Sequence, residues 1–300
     1  MKWQWAIVLV GAALAVSACS SGGGDVGTAS DTRSVTHVRG TAQVVQHPKR
    51  VVTLEPLELD TAVALGITPV GAAVASNVTT MPKYLGVDGV EAVGTVPDPD
   101  VEKIAALKPD LILGTEARHA ALYDRLSRIA PTVYIKTQAD PWQDNARLIG
   151  DALNRRADVD KLLADYNARC AAIKTEFSLA GRTAQFIRPR GAAQLSLYGP
   201  TSFAGSALQC VGFTIPPRDW ADGIQADISL ENLSTAQADY VFVPSQKPGD
   251  ASSIPVQIRD NRAWFPRVSV VDTAYWVSGV GPKGGGMVLD DIETILREQR

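Results

Sequence analysis

The residues best equipped for chemistry in this 300-residue chain are cations and aromatic rings. Arg118 and His119 follow one apolar run, and Arg188 and Arg190 flank Pro189 at the end of another. Tyr198, Ser202, Trp220 and Trp276 come after them in the second half. Guanidinium groups neutralise anions through forked hydrogen bonds, and indole or phenol rings pack flat faces and cations. Together they suit a slot for a bulky anionic guest. The three histidines, His37, His47 and His119, are scattered and share no Cys or Asp cluster. A directly bound zinc or manganese ion needs several such ligands at close spacing and is not expected. His119 and Tyr198 leave haem open, since its iron wants an axial His or Tyr. Catalytic signatures are missing: there is no G-x-S-x-G elbow, no P-loop and no G-x-G-x-x-G after a strand. Ser202 and Ser206 lie near a glycine, but no histidine is placed as their base. Catalysis is therefore not expected, and an envelope hydrolase is the reading from another class.

Whether the candidates meet depends on the elements that carry them. In open α/β sheets, ligands sit beyond the carboxyl ends of the strands. Those ends give Glu55, Thr115, Glu116, Arg118 and His119 in the first half. The second half gives Arg188, Arg190, Tyr198, Ser202, Phe203, Trp220, Ser245, Tyr275 and Trp276. Each has a plainer reading too. Arg118 and His119 also fit the start of a solvated helix, Arg188 and Arg190 an exposed strand end, and Trp220 and Trp276 core aromatics.

Residues 34–38 and 41–45 read as a hairpin turning at Arg39-Gly40. Residues 51–54 form a short buried strand, and 57–65 a helix closed by Gly66. Strands at 67–72, 111–113 and 132–135 then alternate with helices at 101–107 and 120–129. The second half carries strands near 185–187, 195–198, 240–243 and 269–271. Its helices cover 202–211, start again at 230, and run from 286 to about residue 298. This alternation predicts βαβ units and mostly parallel sheet. Between the halves lie a helix at 142–153 and a longer one at 158–177, with no Gly or Pro inside the latter. A helix of about 20 residues spans about 30 Å, enough for a stiff strut between two lobes; a plain amphipathic helix within one domain is the alternative. An internal repeat favours the strut. VEKIAALKPDLIL (101–113) aligns without gaps on LENLSTAQADYVF (230–242), pairing Glu102 with Glu231, Ile104 with Leu233 and Asp110 with Asp239.

The first residues belong to a different kind of segment. Lys2 precedes an apolar run at 6–16 that is too short to span a bilayer. Val16-Ser17-Ala18-Cys19 follows, a quartet that resembles the bacterial lipobox. Residues 1–18 are thus expected to be a signal peptide and 19–33 a flexible tether lipidated at Cys19, anchored to the outer face of the cytoplasmic membrane. Cys170 and Cys210 remain, an even count that suits a disulfide in an exported protein. A net charge of −3 makes no electrostatic case for nucleic acid.

Four segments carry a family resemblance: HPKRVVTLEPLELDTAVALGITPVG (47–71), DPDVEKIAALKPDLIL (98–113), LSRIAPTVYI (126–135) and SLENLSTAQADYVFV (229–243). In this order, behind a lipobox, they resemble the substrate-binding proteins of bacterial importers for ferric siderophores, haem and cobalamin. The resemblance implies an α/β fold of two Rossmann-like lobes with mostly parallel sheets joined by one long interdomain helix, the class III periplasmic-binding-protein type. The lobes are then expected at 34–154 and 179–300, with the connecting helix at 155–178. It implies a monomer with no permanent cofactor, holding a ferric siderophore in the cleft and passing it to an ABC permease and ATPase. A ferric catecholate would suit the guanidinium and ring set, with Glu55, Arg118, His119, Arg188, Arg190, Tyr198, Ser202, Trp220 and Trp276 as ligand contacts. The resemblance also implies an acidic permease-docking residue on each lobe, Asp60 and Glu231 here. Asp60 stands where the family usually has glutamate, so its reach is shorter. Both also fit plain helix-start carboxylates. A non-transport scaffold with the same fold is the remaining alternative.

Overall fold

Short apolar runs that alternate with helices sort into two sheets, one on each side of a long helix. The computed structural model describes residues 31–76, 80–191, 194–220, 224–278 and 280–299. The expected signal peptide and Cys19 lie outside the described residues. A hairpin comes first, β1 (Thr32–His37) and β2 (Gly40–Val45). Next come β3 (Val51–Thr53), α1 (Pro56–Ala64), β4 (Gly71–Val74), β5 (Glu91–Thr95) and β6 (Asp98–Pro99). Then follow α2 (Val101–Ala106), β7 (Leu111–Thr115), α3 (Glu116–His119), α4 (Tyr123–Leu126) and β8 (Thr132–Ile135). The sheet runs β6-β5-β4-β3-β7-β8 and is parallel apart from β6. Every residue of β3, β4, β7 and β8 is buried, as a parallel sheet covered on both faces requires.

Two helices lead out of this sheet, α5 (Trp142–Ala152) and α6 (Arg156–Phe177). The second half holds β9 (Ala184–Arg190), β10 (Gln194–Tyr198), α7 (Phe203–Cys210) and β11 (Gln225–Ser229). It continues through a 3₁₀ helix at Leu230–Ala236, β12 (Tyr240–Ser245), α8 (Val256–Arg259), β13 (Arg267–Asp272), α9 (Thr273–Trp276) and α10 (Pro282–Glu298). The order is β11-β10-β9-β12-β13, with β9, β12 and β13 parallel and β10 antiparallel to both neighbours. This sheet is more mixed than the sequence predicts. β9 ends at Arg190 and β10 starts at Gln194, and so short a connection can only return the chain antiparallel.

The sequence repeat has a structural counterpart. Asp110, just before β7, accepts the backbone N–H groups of Lys49 and Arg50 at 2.8 and 2.9 Å, where the chain leads into β3. Asp239, just before β12, accepts from Thr183 N at 2.8 Å, where the chain leads into β9. Each lobe thus clasps its central parallel pair with the same carboxylate. Asp239 is held below the usual carboxylate range by these bonds from Thr183.

The two sheets do not hang on one strut. α6 buries Val159, Leu163, Tyr166, Cys170 and Ile173 along one stripe, and the core on that stripe runs on through Trp142, Phe203 and Leu289. The Cys170–Cys210 disulfide, with Cα atoms 5.4 Å apart, fastens α6 to α7. It therefore ties the connecting helix to the second lobe. α10 lies alongside α6, with Arg169 paired to Asp290 at 2.7 Å. It starts at Pro282, earlier than the sequence predicts, because three consecutive glycines at 284–286 argue against helix.

What starts α10 is Asp60, from α1 of the first lobe. Its carboxylate accepts from Lys283 N and Gly284 N, each at 2.8 Å, and from the Tyr84 hydroxyl at 2.7 Å. These are first-turn N–H groups with no partner inside the helix. A side chain at Gly281, the residue before the helix, would run into this carboxylate. The expected docking role of Asp60 is therefore corrected: the side chain is fully buried and cannot reach a membrane partner. Burial raises its pKa to about 6, against the pull of its hydrogen bonds. Asp60→Ala is expected to lower stability by about 1–3 kcal/mol, because a cap is lost and buried donors are left bare. Urea unfolding checks this, and Asp60→Asn, which keeps an oxygen acceptor, is expected to lose less.

Candidate functional site

Residues beyond the carboxyl ends of β7, β8, β9, β10 and β13 line one cavity of about 440 Å³. Arg118 on α3, with Gln138, Asp140 and Trp142 after β8, forms the first-lobe wall. Arg188, Arg190, Tyr198, Ser202 and Trp276 form the opposite wall. The β9–β10 hairpin fixes the register: Arg188 faces Ser196 and Arg190 faces Gln194 across the strands. Arg190 Nε donates to Ser196 Oγ at 3.0 Å, which braces that guanidinium. Arg188 and Arg190 both reach the Tyr198 hydroxyl, at 3.5 and 3.4 Å. Among the described residues neither arginine has a carboxylate partner.

Arg118 is braced from below. Its Nε lies 2.8 Å from Glu55 Oε1, an ion pair between a half-exposed guanidinium and a buried carboxylate. Glu55 precedes α1 and sits beside Glu58, whose Oε2 accepts from Leu54 N and Glu55 N at 3.0 and 2.9 Å. Burial raises the Glu55 pKa to about 7, and the Arg118 charge only partly opposes this. Glu58 is pushed well above the usual range, first by burial and then by the Glu55 charge.

A profile of the periplasmic binding protein family (Peripla_BP_2) matches residues 51–266. The chain belongs to that family. It is 32% identical to the probable siderophore-binding lipoprotein YfiY of Bacillus subtilis, over 96% of this chain and 95% of that one. It is also 32% identical to the achromobactin-binding periplasmic protein of Dickeya dadantii, over 85% of this chain and 88% of that one. Among solved structures, Staphylococcus aureus SirA complexed with staphyloferrin B superposes with a TM-score of 0.73 at 27% identity, covering 89% of this chain and 99% of that one. The fold is the two-lobed, class III arrangement of these receptors.

Of the residues singled out from sequence, Arg118, Arg188, Arg190, Tyr198, Ser202, Phe203 and Trp276 meet at this cavity of the periplasmic binding fold. Three others do not line it. Glu55 lies beneath Arg118. Trp220 packs on Gly199 and under Arg218. His119 is buried, with Nδ1 accepting from Thr115 N at 3.2 Å and Nε2 at 2.8 Å from the Val96 carbonyl oxygen. Both ring nitrogens are engaged, so His119 is not free to ligate a haem iron. Ser202 is likewise committed: its Oγ donates to Gly199 O at 2.6 Å and accepts from Gly205 N at 3.0 Å, capping α7. Of the other strand-end residues, Glu116 is paired with Arg39 at 2.6 Å, and the Tyr275 hydroxyl donates to Asp291 at 3.2 Å. Glu231 stands exposed in the first turn of the 3₁₀ helix. Among the described residues no cluster of three metal-ligating side chains forms.

Gln138, Asp140 and Trp142 were missed, although the strand-end rule applied to β8 points straight at them. Gln225 was missed with the whole of β11, whose QADIS segment does alternate but over only five residues, with Ala226 and Ile228 as its apolar positions.

The Glu55 shift has a consequence for stability. Its folded pKa of about 7 exceeds the ordinary 4.5, so the folded chain holds this proton more tightly than the unfolded one. The resulting stabilisation is full below pH 4.5 and is lost as pH rises through 7. Asp60, raised from 3.8 to about 6, acts with the same sign at lower pH. Glu55→Gln is expected to flatten the loss between pH 5 and 8, measured as urea midpoints of both proteins across that range (~1–3 kcal/mol at most).

Proposed function

We propose that this chain is the exported receptor of an ABC importer, which captures a ferric siderophore between its lobes and delivers it unchanged to the permease. The observation that carries this reading is the meeting of Arg118, Arg188 and Arg190, from both lobes, around one cavity. Arg188 and Arg190, which have no carboxylate partner among the described residues, suit a guest of several negative charges. Family membership and the names of the relatives, which bind siderophores or ferric citrate, support the same ligand class. Haem is the weaker guest, because both His119 ring nitrogens are engaged and the Tyr198 hydroxyl is held by Arg188 and Arg190. The protein acts as a binder and performs no catalysis. Lipidation at Cys19 would keep it at the outer face of the membrane, close to its permease. Glu231 is the exposed carboxylate we assign to docking from the second lobe, and Asp60 takes no part in it.

Two tryptophans, Trp142 and Trp276, line the cavity, so occupancy is optically visible. Titration with ferric citrate is expected to quench intrinsic fluorescence saturably with one-site stoichiometry. Unchanged fluorescence with every ferric chelate, haem and cobalamin would contradict the reading.

A further inference from the structure

Resting on that receptor reading, we infer that the guest is a ferric chelate armed with carboxylate and hydroxycarboxylate groups, as in citrate-type ligands, and that ring-stacked catecholates are discriminated against. Both classes are anionic, so the guanidinium charge alone does not separate them. What separates them is how the cavity presents its aromatic residues and its hydrogen-bond donors.

The rings are already spent on one another. Trp276, only 1% exposed, stacks on Phe186 and Phe242 with centroids 5.6 and 5.1 Å apart, and its Nε1–H donates to Asp291. Trp142, 4% exposed, makes edge contacts with Tyr166 and Phe203 at 5.3 and 5.5 Å. Phe203 is 9% exposed. A ring that buried offers the cavity an edge and no open face. Tyr198 is half-buried, packed edge-on against Phe186, with its hydroxyl under two guanidinium groups. A catecholate ring would therefore find little surface to stack on, although stacking is what aromatic guests gain most from.

Donors, in contrast, are in excess. The three guanidinium groups and the Tyr198 hydroxyl line the cavity, whereas the Trp142 Nε1–H and an amide N–H of Gln138, which also have no protein acceptor, are sealed within the wall. Planar carboxylates match the guanidinium fork two bonds at a time. Among the described lining residues Asp140 is the single carboxylate. The wall is thus built for acceptor oxygens.

The test is competition at equilibrium on the intact purified protein, with ferric citrate, ferric tris(2,3-dihydroxybenzoate) and the hydroxamate ferrioxamine as probes. Ferric citrate is expected to bind at least about tenfold more tightly than the catecholate. Arg188→Lys keeps the charge but loses the fork, and is expected to weaken ferric citrate about tenfold while changing catecholate binding little. Equal or tighter catecholate binding would overturn the ligand class and leave the receptor reading standing. Failure of all three probes to bind folded protein would overturn both.

Discussion

Positive charges that repel one another must be held at one place by something else. Arg118, Arg188 and Arg190 face a common cavity, and Glu55 is the one carboxylate in ion-pair contact with any of them among the described residues. Such crowding is unfavourable in the empty protein and is relieved when an anion arrives. The framework therefore has to supply the rigidity. A hairpin fixes Arg188 and Arg190 in register, and a buried carboxylate braces Arg118.

The walls themselves are fixed by a helical layer below the cavity. α6 joins the lobes, α7 is bonded to it through Cys170–Cys210, and α10 returns to the first lobe to be capped by Asp60. The shared core under the cavity, from Trp142 through Tyr166 to Phe203, means that wide hinge opening would have to break aromatic contacts. Close packing resists such motion. A receptor of this build recognises its guest with a nearly preformed surface and loses little ordering entropy on binding.

Much of this was legible in the residues. Alternating strands and helices, the long uninterrupted helix and the 101–113/230–242 repeat carry the two-lobed plan, because periodicity and punctuation are local. The arginines and Tyr198 were legible because strand ends in α/β folds point at ligands. What escaped depends on tertiary partners. Asp60 reads as a surface acid on a helix start, and only the docking of α10 turns it into a buried cap. His119 reads as a ligand, until its ring proves to be tied between Thr115 and Val96. β11 is a five-residue edge strand whose one buried apolar side chain, Ile228, is too weak a signal alone, and pairing with β10 secures it. The exhausted faces of Trp142 and Trp276 could not be inferred from their spacing at all.

Diffraction data collected at the iron edge from crystals grown with ferric citrate test the central claim most directly. One strong anomalous peak is expected inside the cavity, within a chelate's radius of the Arg118, Arg188 and Arg190 guanidinium groups. An iron peak elsewhere on the molecule, or ordered chelate that leaves these three groups untouched, would contradict it.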